Sequence, residues 1–194
     1  MQFSSKGDIF DKLRPFIQRY EIGESFLQHP NYYGLYYDIG MKMKPRGILE
    51  IGVRFGYSAL SMILGCEGKT NFIGIDAEMY NPGSNSVATE SIKSVIKGTC
   101  SIDNINTAHI KSINLSHEFK PDIIHVDACH TELGMIHDLN LVLPHMNDHT
   151  ALIVDDMNHP GHQGLGAACD EFARENGLSV DTYDSLTGTK VLTK

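Results

Sequence analysis

The stretch ILEIGVRFGYSALSM, residues 48–62, decides the fold of this chain. Its apolar start is typical of a buried strand and carries one acid, Glu50. Gly52 and Gly56 allow a tight loop whose backbone a ligand can approach closely. The residues after Gly56 predict the start of a helix, whose first amide groups have no partner within the helix. This order predicts a ligand on the loop, although packing alone would also account for two glycines.

Strand-like and helix-like segments alternate after residue 46, which is the pattern of a parallel sheet covered by helices. The predicted strands of this part are GILEIG (47–52), NFIGID (71–76), AHIKSIN (108–114), DIIHVD (122–127) and ALIVDD (151–156). In such sheets ligands bind beyond the carboxyl ends of the strands. Residues at those ends are therefore the candidates for function.

The last segment, LSVDTYDSLTGTKVLTK (178–194), predicts two strands joined by a tight turn at 186–188. Such a short connection cannot make a right-handed crossover, so the two strands must pair antiparallel. The predicted fold class is therefore α/β, with a Rossmann-like sheet of seven mostly parallel strands. The last strand is antiparallel, and helices cover both faces.

The first 45 residues predict a helical segment. Residues 8–40 divide into two helical pieces, and an apolar face in the first is formed by Phe10, Leu13, Phe16 and Ile17. We expect residues 1–45 to act as a substrate lid or an interface and residues 46–194 to form the main domain, the whole being one globular unit. A tyrosine cluster at 32–37 packs on the core or roofs a pocket, and a homodimer is left open.

The composition excludes several classes of partner. The chain has 194 residues and a formal net charge of −8, the wrong sign for nucleic acid or an anionic membrane. No apolar core of a signal peptide and no apolar run of about 18 residues is present. Four cysteines lie far apart without the spacing of a zinc site. These features predict free thiols and a cytoplasmic protein.

An acid follows the glycine loop at the end of the next predicted strand. Asp76 lies 24 residues after Gly52, where a carboxylate can accept both hydroxyls of a ribose. The loop has the spacing G-x-x-x-G, which disfavours a nicotinamide oxidoreductase with its G-x-G-x-x-G. Loop and acid together predict an adenosine-containing ligand. A solvated acid at a strand end is the alternative for Asp76.

Three more carboxylates end the two following strands of the predicted core. Asp127, Asp155 and Asp156 would repel one another unless a positive group lies among them, and oxygen ligands of this kind suit Mg²⁺. His130 follows Asp127 by three residues, and two further histidines follow at 159 and 162. The alternative is that Asp127 caps the helix beginning near residue 131 and the other acids bond backbone amides.

Three segments resemble one enzyme class. EIGVRFGYSAL (50–60) is similar to the first motif of class I S-adenosylmethionine-dependent methyltransferases, especially the metal-dependent O-methyltransferases of catechols and caffeoyl thioesters. PDIIHVDACHTELGMIHDLNLVLPHM (121–146) and ALIVDDMNHPGHQGLGAACDEF (151–172) resemble the related macrolide sugar O-methyltransferases. The resemblance runs from about residue 46 to the end of the chain.

The resemblance implies roles for these residues, with S-adenosylmethionine and Mg²⁺ as cofactors. The implied donor site consists of Glu50, Gly52, Gly56 and Ser58 at the methionine end, Asp76 at the ribose, Ala77 at the adenine, and Ser112 as a weaker adenine candidate. The implied metal ligands are Asp127, Asp155 and Asp156, the last of which replaces the asparagine usual in catechol-type enzymes. His130 stands where those enzymes carry a lysine and becomes the implied base; His159 or His162 could replace it.

The predicted function is that of an enzyme, an S-adenosylmethionine-dependent and Mg²⁺-assisted O-methyltransferase. Its acceptor would be a small hydroxylated molecule, such as a sugar or a phenolic natural product. A metal-independent methyltransferase is the first alternative. The second is a non-catalytic nucleoside-binding protein that keeps the fold. The choice of O- over N-methylation rests on the resemblance alone.

Overall fold

The computed structural model describes residues 9–19, 30–79, 81–185 and 187–194. The helices in these ranges are α1 (Ile9–Arg19), α2 (Pro30–Met43), α3 (Tyr57–Gly65), α4 (Ser84–Lys93), α5 (Glu132–Val142) and α6 (Leu165–Glu175). The strands are β1 (Gly47–Ile51), β2 (Asn71–Ile75), β3 (Cys100–Asp103), β4 (Ile123–Val126), β5 (Ala151–Val154), β6 (Ser179–Tyr183) and β7 (Thr189–Thr193).

The seven strands form one sheet in the order β3-β2-β1-β4-β5-β7-β6. All pairs are parallel except those made by β7, which is antiparallel to both β5 and β6. The chain runs outward from β1 to β3 and returns to start again at β4, so the strand order reverses between β1 and β4. The predicted fold class is confirmed, and this reversal is where such sheets bind ligands.

Helices cover both faces because the central strands are buried on both sides. Ile48 packs in a core cluster with residues of α1, α2 and α3, whereas its neighbour Leu49 packs in a second cluster with residues of α5 and α6. Successive side chains of a strand point to opposite faces. Every residue of β1 is accordingly buried, as expected for a parallel strand inside a covered sheet.

The third strand lies earlier in the chain than we predicted. Residues 100–103 pair with β2, whereas the predicted segment 108–114 contains part of a short 3-10 helix, Thr107–His109. The side chain of Asn106 caps that helix by accepting a hydrogen bond from the Ala108 amide. This local turn outweighs the alternating pattern that suggested a strand. Ser112 is therefore exposed and lies nine residues beyond the real strand.

The second predicted helix packs directly on the domain that follows it. A Cβ added at Gly40 of α2 would lie 2.1 Å from the Met62 carbonyl oxygen of α3, so the two backbones touch at a position only glycine permits. Leu13 of α1 is buried as predicted, whereas the side chains of Phe10, Phe16 and Ile17 lie outside the described residues. The division at residue 45 stays a prediction. In the described ranges no helix is long and apolar enough to span a membrane.

Candidate active site

A cavity of about 350 Å³ opens where the strand order reverses. Its lining includes the loop 52–56 between β1 and α3, with Tyr57 and Ser58 at the start of α3, and the side chains of Asp127, His130, Asp156 and His159. Tyr32 and Tyr33 of α2 line it as well, as does Thr187. This volume lies within the range of small-molecule sites. The structure thus brings the predicted glycine loop and most of the predicted acceptor residues to one cavity.

Gly52 lets the loop lie against the end of β4. Its φ is +88°, and a Cβ added there would lie 2.2 Å from the carbonyl oxygen of Asp127. Any other residue at 52 would push the loop and Asp127 apart. The two predicted halves of the site, donor loop and carboxylates, are therefore joined by backbone contact.

Asp76 secures the loop from the side of β2. Its carboxylate accepts hydrogen bonds from the backbone amides of Arg54, at 2.7 Å, and Glu78, at 2.6 Å. Carboxylate oxygens can each accept more than one hydrogen bond, so these contacts leave room for ribose hydroxyls. Asp76 and Ala77 are half-buried and lie outside the lining of the cavity. The ribose and adenine roles stay predictions.

Glu50 is fully buried beneath the loop. Its Oε1 accepts a hydrogen bond from Ser58 Oγ at 2.5 Å and lies 2.6 Å from His125 Nδ1. His125 Nε2 lies 3.1 Å from the Tyr36 hydroxyl. His125 is the polar residue of the apolar strand IIHV (123–126). This pattern was the sequence signal for the contact with Glu50, but we did not predict a role for His125 from it.

Asp155 lies behind the cavity wall and is only 4% exposed. Tyr32 donates its hydroxyl to Oδ2, and Thr189 donates to Oδ1 at 3.0 Å. Burial, and then the negative charge of Asp127, raise the pKa of the Asp155 carboxyl to about 6. Tyr32 belongs to the tyrosine cluster that we considered as a possible roof of a pocket, whereas Thr189 was not predicted as a site residue, because only the fold brings it to the end of β5.

His130 lies between two carboxylates on the cavity wall. Its Nε2 is 3.3 Å from Asp127 Oδ1 and 3.2 Å from Asp156 Oδ2. The hydrogen bond to Asp127 raises the pKa of His130, against the smaller opposing effect of burial. Asp127 is thus a partner of His130 and not a helix cap; Thr131 caps α5 by accepting from the Gly134 amide. The alternative capping role is wrong.

Three histidines are stacked beside these acids. His130 stacks on His162 with ring centroids 4.5 Å apart, and His162 stacks on His159 at 4.4 Å. His162 Nε2 is 3.8 Å from Asp156 Oδ2. The structure therefore brings together all three histidines that we considered as bases, but only His130 contacts both Asp127 and Asp156.

Comparison with known proteins identifies the domain. A family model described as a methyltransferase domain matches residues 49–157, which is more than half of the 194 residues. The chain belongs to the methyltransferase-domain family. The matched range includes the glycine loop, Asp76, Asp127, His130 and the pair at 155–156. Among curated proteins no significant match is found.

Solved structures share the fold of this methyltransferase. An S-adenosylhomocysteine-bound methyltransferase from Podospora anserina is 19% identical, with 95% of this chain and 85% of that chain covered and a TM-score of 0.60. An O-methyltransferase from Bacillus cereus in complex with S-adenosylhomocysteine is 17% identical, with 95% and 91% covered and a TM-score of 0.61. The O-methyltransferase TomG from Streptomyces achromogenes, in complex with S-adenosylmethionine, is 14% identical, with 98% and 92% covered and a TM-score of 0.59.

The predicted membership of the class I S-adenosylmethionine-dependent methyltransferases is confirmed by the family match and the fold. The structures are too distant in sequence to transfer more than the fold. The individual site residues, the metal and the acceptor stay predictions.

Proposed function

We propose that this chain is an S-adenosylmethionine-dependent O-methyltransferase of a small hydroxylated molecule, a sugar or phenolic natural product, assisted by a divalent cation such as Mg²⁺. The observation that carries the proposal is the position of His130. Its Nε2 lies between Asp127 and Asp156 in the cavity that the glycine loop also lines. A base and a donor loop in one small cavity are what methyl transfer to a hydroxyl requires.

The methyl donor would bind in the part of the cavity that the glycine loop lines. S-adenosylmethionine supplies a methyl group on a sulfonium, which is transferred by in-line displacement. Glu50, Gly52, Gly56 and Ser58 would hold its methionine end, and Asp76 with Ala77 would hold its adenosine. Ser58 lines the cavity and bonds Glu50. Structures of the same fold with bound S-adenosylmethionine or S-adenosylhomocysteine support this choice of ligand.

His130 would take the proton from the acceptor hydroxyl. The two flanking carboxylates orient the ring and stabilise the imidazolium that forms. His159, also on the cavity wall, is the alternative base, and His162 lies stacked between the two. Tyr32 and Tyr33 give the acceptor an aromatic wall. The O-methyltransferases among the structural neighbours support oxygen over nitrogen as the acceptor.

The carboxylates fit a divalent cation in charge and in ligand type. Asp127 and Asp156 face the cavity. Burial, and then the charge of Asp127, raise the pKa of Asp155, and a nearby cation would offset the second of these effects. When bound, the cation supplies Lewis acidity that favours a deprotonated acceptor oxygen. Asp127, Asp155 and Asp156 would hold it.

A metal-independent methyltransferase remains the second candidate because of one observation. Asp155 is already hydrogen-bonded by Tyr32 and Thr189, so these bonds compete with any metal. In that case His130 alone would remove the proton. The four free cysteines support a reducing compartment, and we propose a cytoplasmic location.

Transfer of a labelled methyl group tests the proposal. The protein is incubated with methyl-labelled S-adenosylmethionine and a panel of sugars and phenols, once with Mg²⁺ and once with EDTA. We expect a labelled methyl ether, with a loss of product on His130→Ala and no loss on the exposed control His117→Ala. Failure of the wild-type protein to bind S-adenosylhomocysteine in calorimetry would overturn the donor assignment. Activity undiminished by EDTA would select the metal-independent candidate.

A further inference from the structure

A buried histidine lies next to the acid of the donor loop. Glu50 of β1 and His125 of β4 are direct partners in the parallel register, and both side chains are fully buried. Glu50 Oε1 lies 2.6 Å from His125 Nδ1 and 2.5 Å from Ser58 Oγ. One oxygen of the carboxylate therefore has two hydrogen-bond partners, His125 on β4 and Ser58 on α3.

The second oxygen of Glu50 is in a different situation. Among the described residues, Oε2 is buried without a hydrogen-bond partner. Leaving a buried charged acceptor unpaired is costly, so such atoms in native proteins call for a ligand or another explanation. Ser58, bonded to the same carboxylate, lines the cavity. The unpaired oxygen thus belongs to a carboxylate that is one hydrogen bond away from a side chain lining the cavity.

His125 is itself held in place by the N-terminal segment. Its Nε2 lies 3.1 Å from the hydroxyl of Tyr36, and the two rings meet edge to face with centroids 4.9 Å apart. Tyr36 is fully buried on α2. With both ring nitrogens engaged, the imidazole cannot turn. Nδ1–H donates to Glu50 in the neutral Nδ1–H tautomer and in the imidazolium alike, so this contact does not depend on the charge of His125.

We propose that His125, held by Tyr36, is a positioning residue for the donor: it fixes Glu50 so that Oε2 faces the α-ammonium group of S-adenosylmethionine. The inference rests on the proposed function in taking this molecule as the ligand. An ammonium group is the complement of a buried carboxylate oxygen, because a charge-assisted hydrogen bond satisfies both. Only the amino-acid end of the donor would be affected, since the proposed function assigns its adenosine to Asp76 and Ala77.

Two nucleosides separate this role from a general loss of structure. S-adenosylhomocysteine carries the α-ammonium group, whereas 5′-methylthioadenosine has the same nucleoside without the amino acid. Binding of both to the full chain is measured by calorimetry for the wild type, Tyr36→Phe, His125→Leu and His125→Asn. The matched control is Ser61→Ala, which removes a buried hydroxyl of α3 that donates to the Tyr57 carbonyl.

We expect His125→Leu to weaken S-adenosylhomocysteine binding roughly ten- to a hundredfold, the value of one hydrogen bond to a charged group. The affinity for methylthioadenosine should stay within twofold. Tyr36→Phe should show a smaller loss in the same direction. His125→Asn should recover most of the affinity, because its amide nitrogen can replace Nδ1 as the donor to Glu50. Ser61→Ala should bind both nucleosides like the wild type.

Two results would overturn the inference. Unchanged S-adenosylhomocysteine affinity in both Tyr36→Phe and His125→Leu would remove the positioning role, and if His125→Leu does not fold, unchanged affinity in Tyr36→Phe would do so. An equal loss for both nucleosides would show that the cluster only supports the fold. The proposed function fails separately, if the wild-type protein binds neither nucleoside.

Discussion

Tyr32 of α2 donates its hydroxyl to Asp155 at the end of β5, across 123 residues of sequence. This bond joins the N-terminal helical segment to the carboxylates of the proposed acceptor site. Part of the predicted lid segment, Tyr32 and Tyr33, therefore lines the cavity of the proposed acceptor site. The bond also makes Tyr32 a competitor of any cation for the Oδ2 oxygen of Asp155, because a hydrogen-bonded lone pair must be released before it can bind a metal.

The competition gives a prediction for Tyr32→Phe. The substitution keeps the ring against the core and frees Asp155 Oδ2, so we expect a several-fold gain in Mg²⁺ affinity, measured by calorimetry. Tyr33→Phe is the matched control, since Tyr33 lines the same cavity and stacks edge-on against Tyr32 at 4.8 Å. A lower Mg²⁺ affinity in Tyr32→Phe would show that Tyr32 helps to assemble the site and does not compete with the cation.

A substitution of Asp127, which lines the cavity, tests whether a cation binds there. Asp127→Asn keeps the shape of the side chain but removes one of the two carboxylates that line the cavity, so we expect stimulation by Mg²⁺ to disappear. Binding of S-adenosylhomocysteine should stay within about twofold of the wild type, because its proposed contacts lie on the loop. Asp103→Asn, an exposed acid at the end of β3, serves as the control. Retained Mg²⁺ stimulation in Asp127→Asn would remove Asp127 from the ligand set.

His130 gives a prediction for the pH dependence of the rate. The hydrogen bond to Asp127 raises the pKa of His130 above its ordinary value, which is about 6.5. A histidine acts as a base only when it is neutral. Activity should therefore fall as the pH drops through the pKa of His130, which lies above the ordinary histidine pKa. His130→Ala should lower kcat about a hundredfold or more and abolish this acidic limb. An unchanged pH–rate profile would move the role to His159 or His162.

Asp76 should bind the ribose hydroxyls as well as the loop. Asp76→Asn keeps one carbonyl oxygen but cannot accept from two hydroxyls and two amides together, so we expect S-adenosylhomocysteine affinity to fall at least tenfold. Binding of methylthioadenosine should fall equally, because it carries the same ribose. This pattern contrasts with the one expected for His125. If both affinities are retained, Asp76 serves only to hold the amides of Arg54 and Glu78.

The sequence predicted the features that depend on short stretches of chain. Local patterns predicted the glycine loop, the strands formed by apolar runs and the short antiparallel ending. The structure contains all three. The third strand was misplaced because its own four residues, CSID, carry no strong pattern. At residues 107–109, the capping side chain of Asn106 decided the local structure.

The candidate site was only partly predictable for a different reason. Strand-end acids can be found from the sequence, because parallel strands bring their carboxyl ends to one edge. The partners of those acids come from distant parts of the chain. Tyr32, Thr189 and His125 reach them through helix packing and sheet register, and no local pattern encodes such contacts.

The contact between Arg46 and Asp122 predicts how stability depends on pH. Asp122 accepts hydrogen bonds from the Arg46 backbone amide at 2.7 Å and from Nη2 at 2.9 Å, which ties the start of β1 to the start of β4. These bonds lower the pKa of Asp122 below its ordinary value although burial opposes them. A depressed pKa in the folded state stabilises the protein above the ordinary carboxyl pKa, near 3.9, and this contribution is lost as the pH falls further.

We therefore expect Asp122→Asn to lower the free energy of unfolding by about 1 kcal/mol at pH 7, since the guanidinium partner is exposed and screened. Denaturant titrations at several pH values measure the difference from the wild type, which should start to shrink as the pH falls below about 4 and go on shrinking as it falls through the lowered pKa of Asp122. Glu67→Gln is the control, because the Glu67–Lys69 pair is exposed on both sides and its loss should not change stability measurably. A difference between Asp122→Asn and the wild type that persisted unchanged at pH 3 would show that packing, and not the charge of Asp122, holds the two strand starts together.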